Sequence, residues 1–311
     1  MASRTSASFR RARRVLSFLI LLAPTLNVFP AWAEPIPAPV EKMILEAAKT
    51  GSPRTLDTVA AVAAAAVPES AMEIRALVDS LRTRAEAERI AQLEQLNYFQ
   101  GWHGEGELGA SKVTGNTDTT DIAIGVHLTK DGLKWAHKFN VTADYQRAQG
   151  VSGVDKYLAG YEANYKFNER LFTFGLLQYD RDHFAGFNNR LTESFGLGYS
   201  LFHTPTLMWD VTAGPAFRQI DQVLGPSQYD VEARLATHLT WNITDATVLT
   251  EDVSFYVGGG NSTSQSTTAV TTKLIDALAA RASFNIKKET APGPGFKRTD
   301  TASRVTLVYG F

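Results

Sequence analysis

Tyr157-Leu158-Ala159-Gly160-Tyr161-Glu162-Ala163-Asn164-Tyr165-Lys166-Phe167 reads as one strand with two unlike faces. Successive side chains of a strand point to opposite sides. Tyr157, Ala159, Tyr161, Ala163, Tyr165 and Phe167 therefore share one face, and Leu158, Gly160, Glu162, Asn164 and Lys166 the other. The same division separates Phe139, Val141, Ala143 and Tyr145 from Lys138, Asn140, Thr142, Asp144 and Gln146. From Trp102 onward this period of two recurs, carried by Val, Thr, Tyr, Phe and Gly. Segments of this kind begin near Trp102, Thr119, Lys134, Lys156, Leu171, Asn189, Leu207, Asp230, Thr247, Ser266, Ala277 and Asp300. A strand of about 10 residues, rising about 3.3 Å per residue and tilted about 45°, covers the roughly 25 Å apolar band of an outer membrane. The pattern predicts an all-β membrane protein: residues 99–311 form an antiparallel transmembrane β-barrel of about twelve strands.

The links give a second test, because such barrels have short turns at the periplasmic end and longer loops outside. Short links are expected at Lys130-Asp131-Gly132, Asn168-Glu169-Arg170, Thr204-Pro205-Thr206, Thr244-Asp245-Ala246 and Ile275-Asp276, and longer ones at 150–155, 182–188, 220–229, 258–265 and 290–299. An even strand count puts both ends of the barrel in the periplasm. Tryptophans favour the membrane-water interface. Trp102, Trp135, Trp209 and Trp241 each fall on the apolar face at a predicted periplasmic strand end, as a girdle facing outer-membrane lipids. Tyr145, Tyr157, Phe195, Phe217 and Phe255 would form the outer girdle. Three residues resist this threading. Glu193 and Glu251 fall on the lipid face, where a carboxylate is costly unless it lies near an interface or a bulge shifts the register, and Pro215 has no N–H for the ladder.

Residues 1–33 carry Arg4, Arg10, Arg11, Arg13 and Arg14 and no acid, then an apolar run over 15–28, then Ala31-Trp32-Ala33. This is the layout of a cleaved secretory signal peptide, with Ala31 and Ala33 at the recognition positions and cleavage before Glu34. Pro24 and Asn27 interrupt the run, which is too short for a membrane anchor. Residues 34–98 are rich in Ala, Leu, Glu and Arg with helical spacing, Ile74, Leu77, Val78 and Leu81 sharing a face. Ser52-Pro53 reads as an N-cap and first helical residue, and Pro68 opens another helix. The expectation is a small α-helical periplasmic region, either a spacer or an arm that binds a periplasmic partner.

A formal net charge of −1 for 311 residues excludes the strongly basic surface of a nucleic-acid-binding protein. The absence of cysteine excludes disulfides, thiol catalysis and thiolate metal sites. His103, His127 and His238 point inward, His137 and His203 lie near periplasmic ends, and His183 sits in an outer loop. No pair has ligand spacing, and none has a positioned catalytic partner, so neither a metal, a cofactor nor an enzymatic site is expected. The Gly258-Gly259-Gly260 run lacks the strand-to-helix context of a phosphate cradle.

The chain stops at Val305-Thr306-Leu307-Val308-Tyr309-Gly310-Phe311, with Val305, Leu307, Tyr309 and Phe311 on one face. This resembles the C-terminal signal of outer-membrane proteins, which implies insertion by the barrel-assembly machinery. Physically, the last strand offers an unpaired edge until it closes on the first. Gly104-x-Gly106-x-x-Gly109, Thr114-Gly115-Asn116-Thr117-Asp118, Tyr179-Asp180-Arg181-Asp182 with Phe184, Gly196-x-Gly198-Tyr199 and Asp300-Thr301 then complete a resemblance to the YdiY-like outer-membrane proteins. These are often labelled salt-induced and share the domain of unknown function DUF481. The resemblance covers residues 101–311 and implies an outer-membrane barrel. It brings no substrate and no catalytic residue.

The faces expected to point inward carry Glu105, Glu107, Lys138, Asp144, Glu162, Lys166, Asp210, Arg218, Glu232, Arg234, Asp252, Arg281, Lys287 and Arg304. A polar lumen of both signs suits a narrow passive channel for ions or small solutes, whose walls must coordinate them. It equally suits a closed envelope barrel in which opposite charges pair, with the helical region contacting a partner or the cell wall. Many small residues on the inward faces leave space and tilt the balance toward a channel.

Overall fold

The computed structural model describes residues 35–311 except 98, 117, 149, 150, 259, 293 and 294; the expected signal peptide, with Ala31 and Ala33, lies outside them. Three helices precede the barrel: α1 (Ala38–Lys49), α2 (Pro53–Ala66) and α3 (Ala71–Gln95). Ser52 caps α2 by accepting the Thr55 N–H at 3.2 Å. The helices bury Ile44, Ala47, Leu56, Ala63, Ile74 and Val78 in one small core, with Leu77 and Leu81 packed against it. Among the described residues no helix is long and apolar enough to cross a membrane.

The strands are β1 (Trp102–Thr114), β2 (Thr119–Asp131), β3 (Trp135–Ala148), β4 (Val151–Lys166), β5 (Leu171–Asp182), β6 (Phe187–His203), β7 (Leu207–Gln222), β8 (Gln228–Asn242), β9 (Thr247–Gly258), β10 (Thr263–Ile275), β11 (Leu278–Glu289) and β12 (Thr299–Gly310). Each pairs antiparallel with its sequence neighbours, and β1 pairs with β12 to close the barrel. At the seam the Gly104 N–H donates to the Phe311 carbonyl and the Phe311 N–H to the Gly104 carbonyl, both at 2.8 Å. The Phe311 ring lies where a Cβ on Gly104 would sit, within 2.2 Å of it. At the other end of the seam Asn116 donates through its backbone and side-chain amides to Asp300 (2.7 and 2.8 Å), and the hydroxyls of Thr114 and Thr301 meet at 2.8 Å. Gly115 makes that turn at φ +136, where a Cβ would collide with Asp300 at 2.3 Å. Two of the quoted motifs are thus the two halves of one clasp.

The rim that holds the start of β1 and the end of β12, the near rim, has only short links. The far rim differs from expectation. Residues 151–155, expected in a loop at 150–155, belong to β4, which starts at Val151. The strand-forming Val151 and Val154 carry the ladder outward. A short 3-10 turn, His183–Ala185, replaces most of the link at 182–188, with Asp182 accepting the Ala185 N–H at 3.0 Å. The long far link is 290–298.

No register shift occurs at Pro215 or Glu251; the shifts lie at Asp144/Tyr145, Asp180/Asp182, Phe187/Asn189, Ser200/Phe202 and Lys273/Ile275. Pro215 pairs with Ala233 on the β8 side, while on the β6 side the pairing passes from Ser194↔Ala216 to Leu197↔Ala213. Its missing donor therefore interrupts the ladder without bending the register.

Glu251 stays on the outward face, where Ser266 donates to one carboxylate oxygen at 2.6 Å and Thr268 to the other. Those hydroxyls come from the adjacent strand, so β10 neutralises the cost that β9 creates. Replacing Ser266 and Thr268 together by Ala is expected to destabilise the barrel by about 3–6 kcal/mol, the worth of two hydrogen bonds to a charged group. Urea unfolding in phospholipid vesicles measures this, and adding Glu251→Leu to that background restores the loss.

Candidate functional site in the barrel lumen

Antiparallel partners face the same side of a sheet, so the register assigns every side chain to lumen or exterior. The outward face is apolar and aromatic: Leu108, Ile122, Ile124, Phe139, Leu177, Leu197, Leu235 and Val257 are all exposed. Trp102, Trp135, Trp209 and Trp241 stand on this face near the near rim. Trp135 stacks on His137 at 5.9 Å, His137 on Tyr161 at 6.0 Å, and the Trp209 indole N–H donates to Thr237 Oγ1 at 2.6 Å. His137 thus belongs to the aromatic belt.

The register turns all the charges expected in the lumen inward, and they fall into two groups. On the β1–β3 and β11–β12 side they fill the space. Glu107 is buried and meets Arg281 (3.2 Å), Arg304 (3.8 Å) and His127 (3.4 Å). Arg281 also reaches Glu105 at 2.7 Å, and Arg304 reaches Asp144 at 2.6 Å. Gly125 leaves the room that the Glu107 side chain occupies, its missing Cβ lying 2.6 Å from that chain. Each cation here has at least one carboxylate, and this side of the barrel is a packed polar core.

From β3 round to the end of β11 the lumen holds two cavities in series, about 280 Å³ toward the near rim and about 410 Å³ toward the far rim. Arg190 and Arg218 line both, so they form the partition between them. Arg190 donates from Nε and Nη2 to Asp180 Oδ2 at 3.3 Å, directly across the β5–β6 ladder. Arg218 donates to both oxygens of Glu232, at 2.9 and 3.2 Å, and to Thr263 Oγ1 at 3.2 Å. Lys287 pairs with Glu289 at 2.9 Å. Aromatic rings support the cations: Arg190 lies 4.4 Å from the Phe187 centroid, Lys287 5.3 Å from the same ring, and Arg218 4.9 Å from Tyr256. Lys138 with Glu162 (3.8 Å) and Lys166 with Asp131 (2.5 Å) sit nearer the near rim.

Sequence reading alone missed several members of this layer: Asp180, Arg190, Phe187, Tyr256 and Glu289. Phe172, Phe174 and Leu176 also point inward, since Phe172 pairs with Lys166 and with Gly198. The stretch Leu171-Phe172-Thr173-Phe174-Gly175-Leu176-Leu177 is apolar on both faces and does not say which is inside. Gly198 makes room for the Phe172 ring, whose edge lies 2.1 Å from the place of a Cβ. For Asp180 a signal existed, because it lies within the quoted Tyr179-Asp180-Arg181-Asp182 motif. In that motif Tyr179 also donates to Asn189 at 2.6 Å, and Asp182 pairs with Lys156 at 3.6 Å.

Near the near rim, Asp252 Oδ1 lies 2.6 Å from His238 Nδ1, and His238 Nε2 lies 3.1 Å from Thr240 Oγ1. A hydroxyl–imidazole–carboxylate chain is the layout of nucleophilic catalysis. Such chemistry also needs donors aimed at a developing oxyanion. Thr240 sits within the β7–β8 and β8–β9 ladders, which use the neighbouring backbone N–H groups. Among the described residues no group of three or more His, Cys, Asp or Glu is arranged to hold a metal ion.

No curated protein shows significant similarity to this chain. Among solved structures it is similar to the NanC porin (9% identity, TM-score 0.47, covering 66% of this chain and 98% of that one) and to the KdgM porin in complex with disordered oligogalacturonate (11%, 0.39, 67% and 99%). It is also similar to the translocator domain of the autotransporter NalP from Neisseria meningitidis (12%, 0.38, 74% and 96%). Residue roles do not transfer at such identities, and these barrels serve different ends. The family model described as "Protein of unknown function, DUF481" matches residues 106–311, and the chain belongs to that family.

Proposed function

We propose that this protein is a bacterial outer-membrane barrel that acts as a narrow passive channel for ions or small hydrophilic solutes. The observation that carries the reading is the pair of cavities, about 280 and 410 Å³, in series along one side of a polar lumen and divided by the Arg190–Arg218 layer. The packed cluster around Glu107 confines passage to the wall that Lys138, Asn140, Arg234 and Glu289 line. An apolar outward face with tryptophans at the near rim supports an outer-membrane location with that rim and the helices in the periplasm. The outward row of Val305, Leu307, Tyr309 and Phe311 supports recognition by the barrel-assembly machinery. No chemistry on the lumen wall ties passage to salt stress, and passive permeation needs no catalytic group.

A second reading is a closed envelope barrel whose helices bind a periplasmic partner. One observation favours it: the Arg54 guanidinium donates to the carbonyls of Ile243 (2.5 Å) and Asn242, holding α2 to the β8–β9 turn. Planar-bilayer recording of the purified protein without residues 1–33 separates the two. Discrete conductance steps support the channel, and silence across salts favours the closed barrel.

The assembly reading has its own test. Deleting Phe311 removes both backbone bonds to Gly104, worth about 2 kcal/mol together, and the ring over that glycine. The expected outcome is a several-fold lower yield of the heat-modifiable folded form on cold SDS gels, in cells and in refolding. A loss confined to cells assigns the effect to the assembly machinery instead of to seam stability.

A further inference from the structure

We infer that the lumen prefers small anions and that Arg234 is the residue that sets this preference; the inference rests on the channel reading above. In the partition and the shells on either side of it, Arg190, Arg218, Arg234 and Lys287 face Asp180, Glu232 and Glu289. Each of those carboxylates is engaged: Asp180 by Arg190 and by the Gln178 amide at 2.9 Å, Glu232 by Arg218, and Glu289 by Lys287 and by the Asn261 amide at 3.2 Å. Of the four cations, Arg234 alone has no carboxylate partner among the described residues. Arg234 donates from Nε to the Tyr256 hydroxyl at 3.2 Å and from Nη1 to Thr212 Oγ1 at 3.0 Å. Its guanidinium lies 5.1 Å from the Phe174 centroid. Among the described residues no carboxylate is within ion-pair distance of it. Both of its neutral partners and the ring hold the guanidinium in place without cancelling its charge.

This side chain lines the cavity on the near side of the partition, together with Arg190 and Arg218. An uncompensated charge at a constriction with low-dielectric walls concentrates counter-ions and repels co-ions. Three acids line the same cavity: Glu162 is paired with Lys138 at 3.8 Å, and Asp210 and Asp252 lie away from the guanidinium. Asp252 Oδ1 lies 2.6 Å from His238 Nδ1 and Asp210 accepts from Ser200 at 2.6 Å, which places both acids around His238 instead of at the guanidinium. Asp210 pairs with His238 in the β7–β8 ladder while Arg234 pairs with Gly214, four residues along, or roughly 13 Å at strand rise. At that separation neither acid reaches the guanidinium within ion-pair distance. Asp230 and Glu232 border the outer cavity, where Glu232 is tied to Arg218 and Asp230 stands opposite Arg218 in the β7–β8 ladder, four residues along β8 from Arg234. The ions best served are compact singly charged anions that can take guanidinium and hydroxyl donors together, such as halides and small carboxylates.

The test is the reversal potential across a planar bilayer under a KCl gradient, for wild type and for Arg234→Gln and Arg234→Lys. Heat-modifiable mobility first establishes that each is folded. Wild type is expected to pass chloride in preference to potassium. Arg234→Gln should lower the chloride-to-potassium permeability ratio about two- to threefold, and Arg234→Lys should keep most of it. A conducting wild type that prefers potassium overturns the inference even if the Gln variant does not fold, and leaves the channel reading intact. So does a ratio that Arg234→Gln leaves unchanged. A silent bilayer with folded wild type overturns the channel reading and this one with it.

Discussion

Replacing Arg218 with Met is expected to lower the unfolding free energy by about 3–5 kcal/mol, the cost of stranding one partner of a buried ion pair. Arg218 and Glu232 are only 5% and 4% exposed, so solvent screens the pair weakly. Without the guanidinium, both oxygens of Glu232 lose their donor, Thr263 loses its hydrogen bond, and the Tyr256 ring loses a cation 4.9 Å away. The double variant Arg218→Met with Glu232→Leu should recover most of the loss, because apolar groups of similar volume commonly match a buried ion pair. Urea unfolding in vesicles, run as a double-mutant cycle, gives both numbers. A single-variant loss below about 1 kcal/mol would mean that water reaches the pair, as at a surface bridge.

Gly214→Val is expected to have the largest effect of all: loss of nearly all of the folded form. A Cβ on Gly214 would lie 1.9 Å from the Phe195 carbonyl oxygen and 2.8 Å from Gly196 Cα. From the other side, a Cβ on Gly196 would lie 2.1 Å from the Ala213 carbonyl oxygen. The obstacle is backbone in both cases, so no rotamer change relieves it, and β6 and β7 must separate where Pro215 already interrupts their ladder. Overpacking alone costs about 1–3 kcal/mol, and here several ladder bonds are lost as well. Gly106→Ala is the control. That position has nothing within 4 Å of a new Cβ, and removing a strand glycine there is expected to be neutral or to stabilise by up to about 1 kcal/mol. Cold SDS gels and far-UV circular dichroism read out both variants.

How far the sequence reached depended on whether a feature lives within one strand or between strands. Alternation is a one-strand property, so the faces of β3, β4 and β12, and the inward side of residues such as Glu107, Asp144 and Arg304, were legible from residue order. Pairing is a two-strand property. Nothing in the order of residues indicates that Glu107 is shared by Arg281, Arg304 and His127, or that Ser266 and Thr268 serve Glu251. Those contacts follow from the registers, which hydrophobic period leaves open by multiples of two. Where both faces are apolar, as in β5, even the inward side was hidden, and with it the Phe172–Phe174 lining. Residues 151–155 differ from the expected loop for a related reason. Glycines and polar residues there suggested a link, while the partner strand offered a ladder long enough to continue it.

The β1–β12 seam carries a kinetic consequence. Every other ladder joins neighbours in sequence, with nine residues or fewer between their ends, whereas Gly104 and Phe311 stand about 200 residues apart in the chain. Bringing such distant points together costs about 5 kcal/mol of chain entropy by the logarithmic law, against about 1 kcal/mol for a four-residue hairpin. Closure is thus the one step whose reward must be awaited until the rest of the wall is upright, and non-local pairing of this kind sets slow folding rates. Until that moment two bare edges persist, and the hydrogen bonds of Asn116 with Asp300 act as the last stitch in the wall.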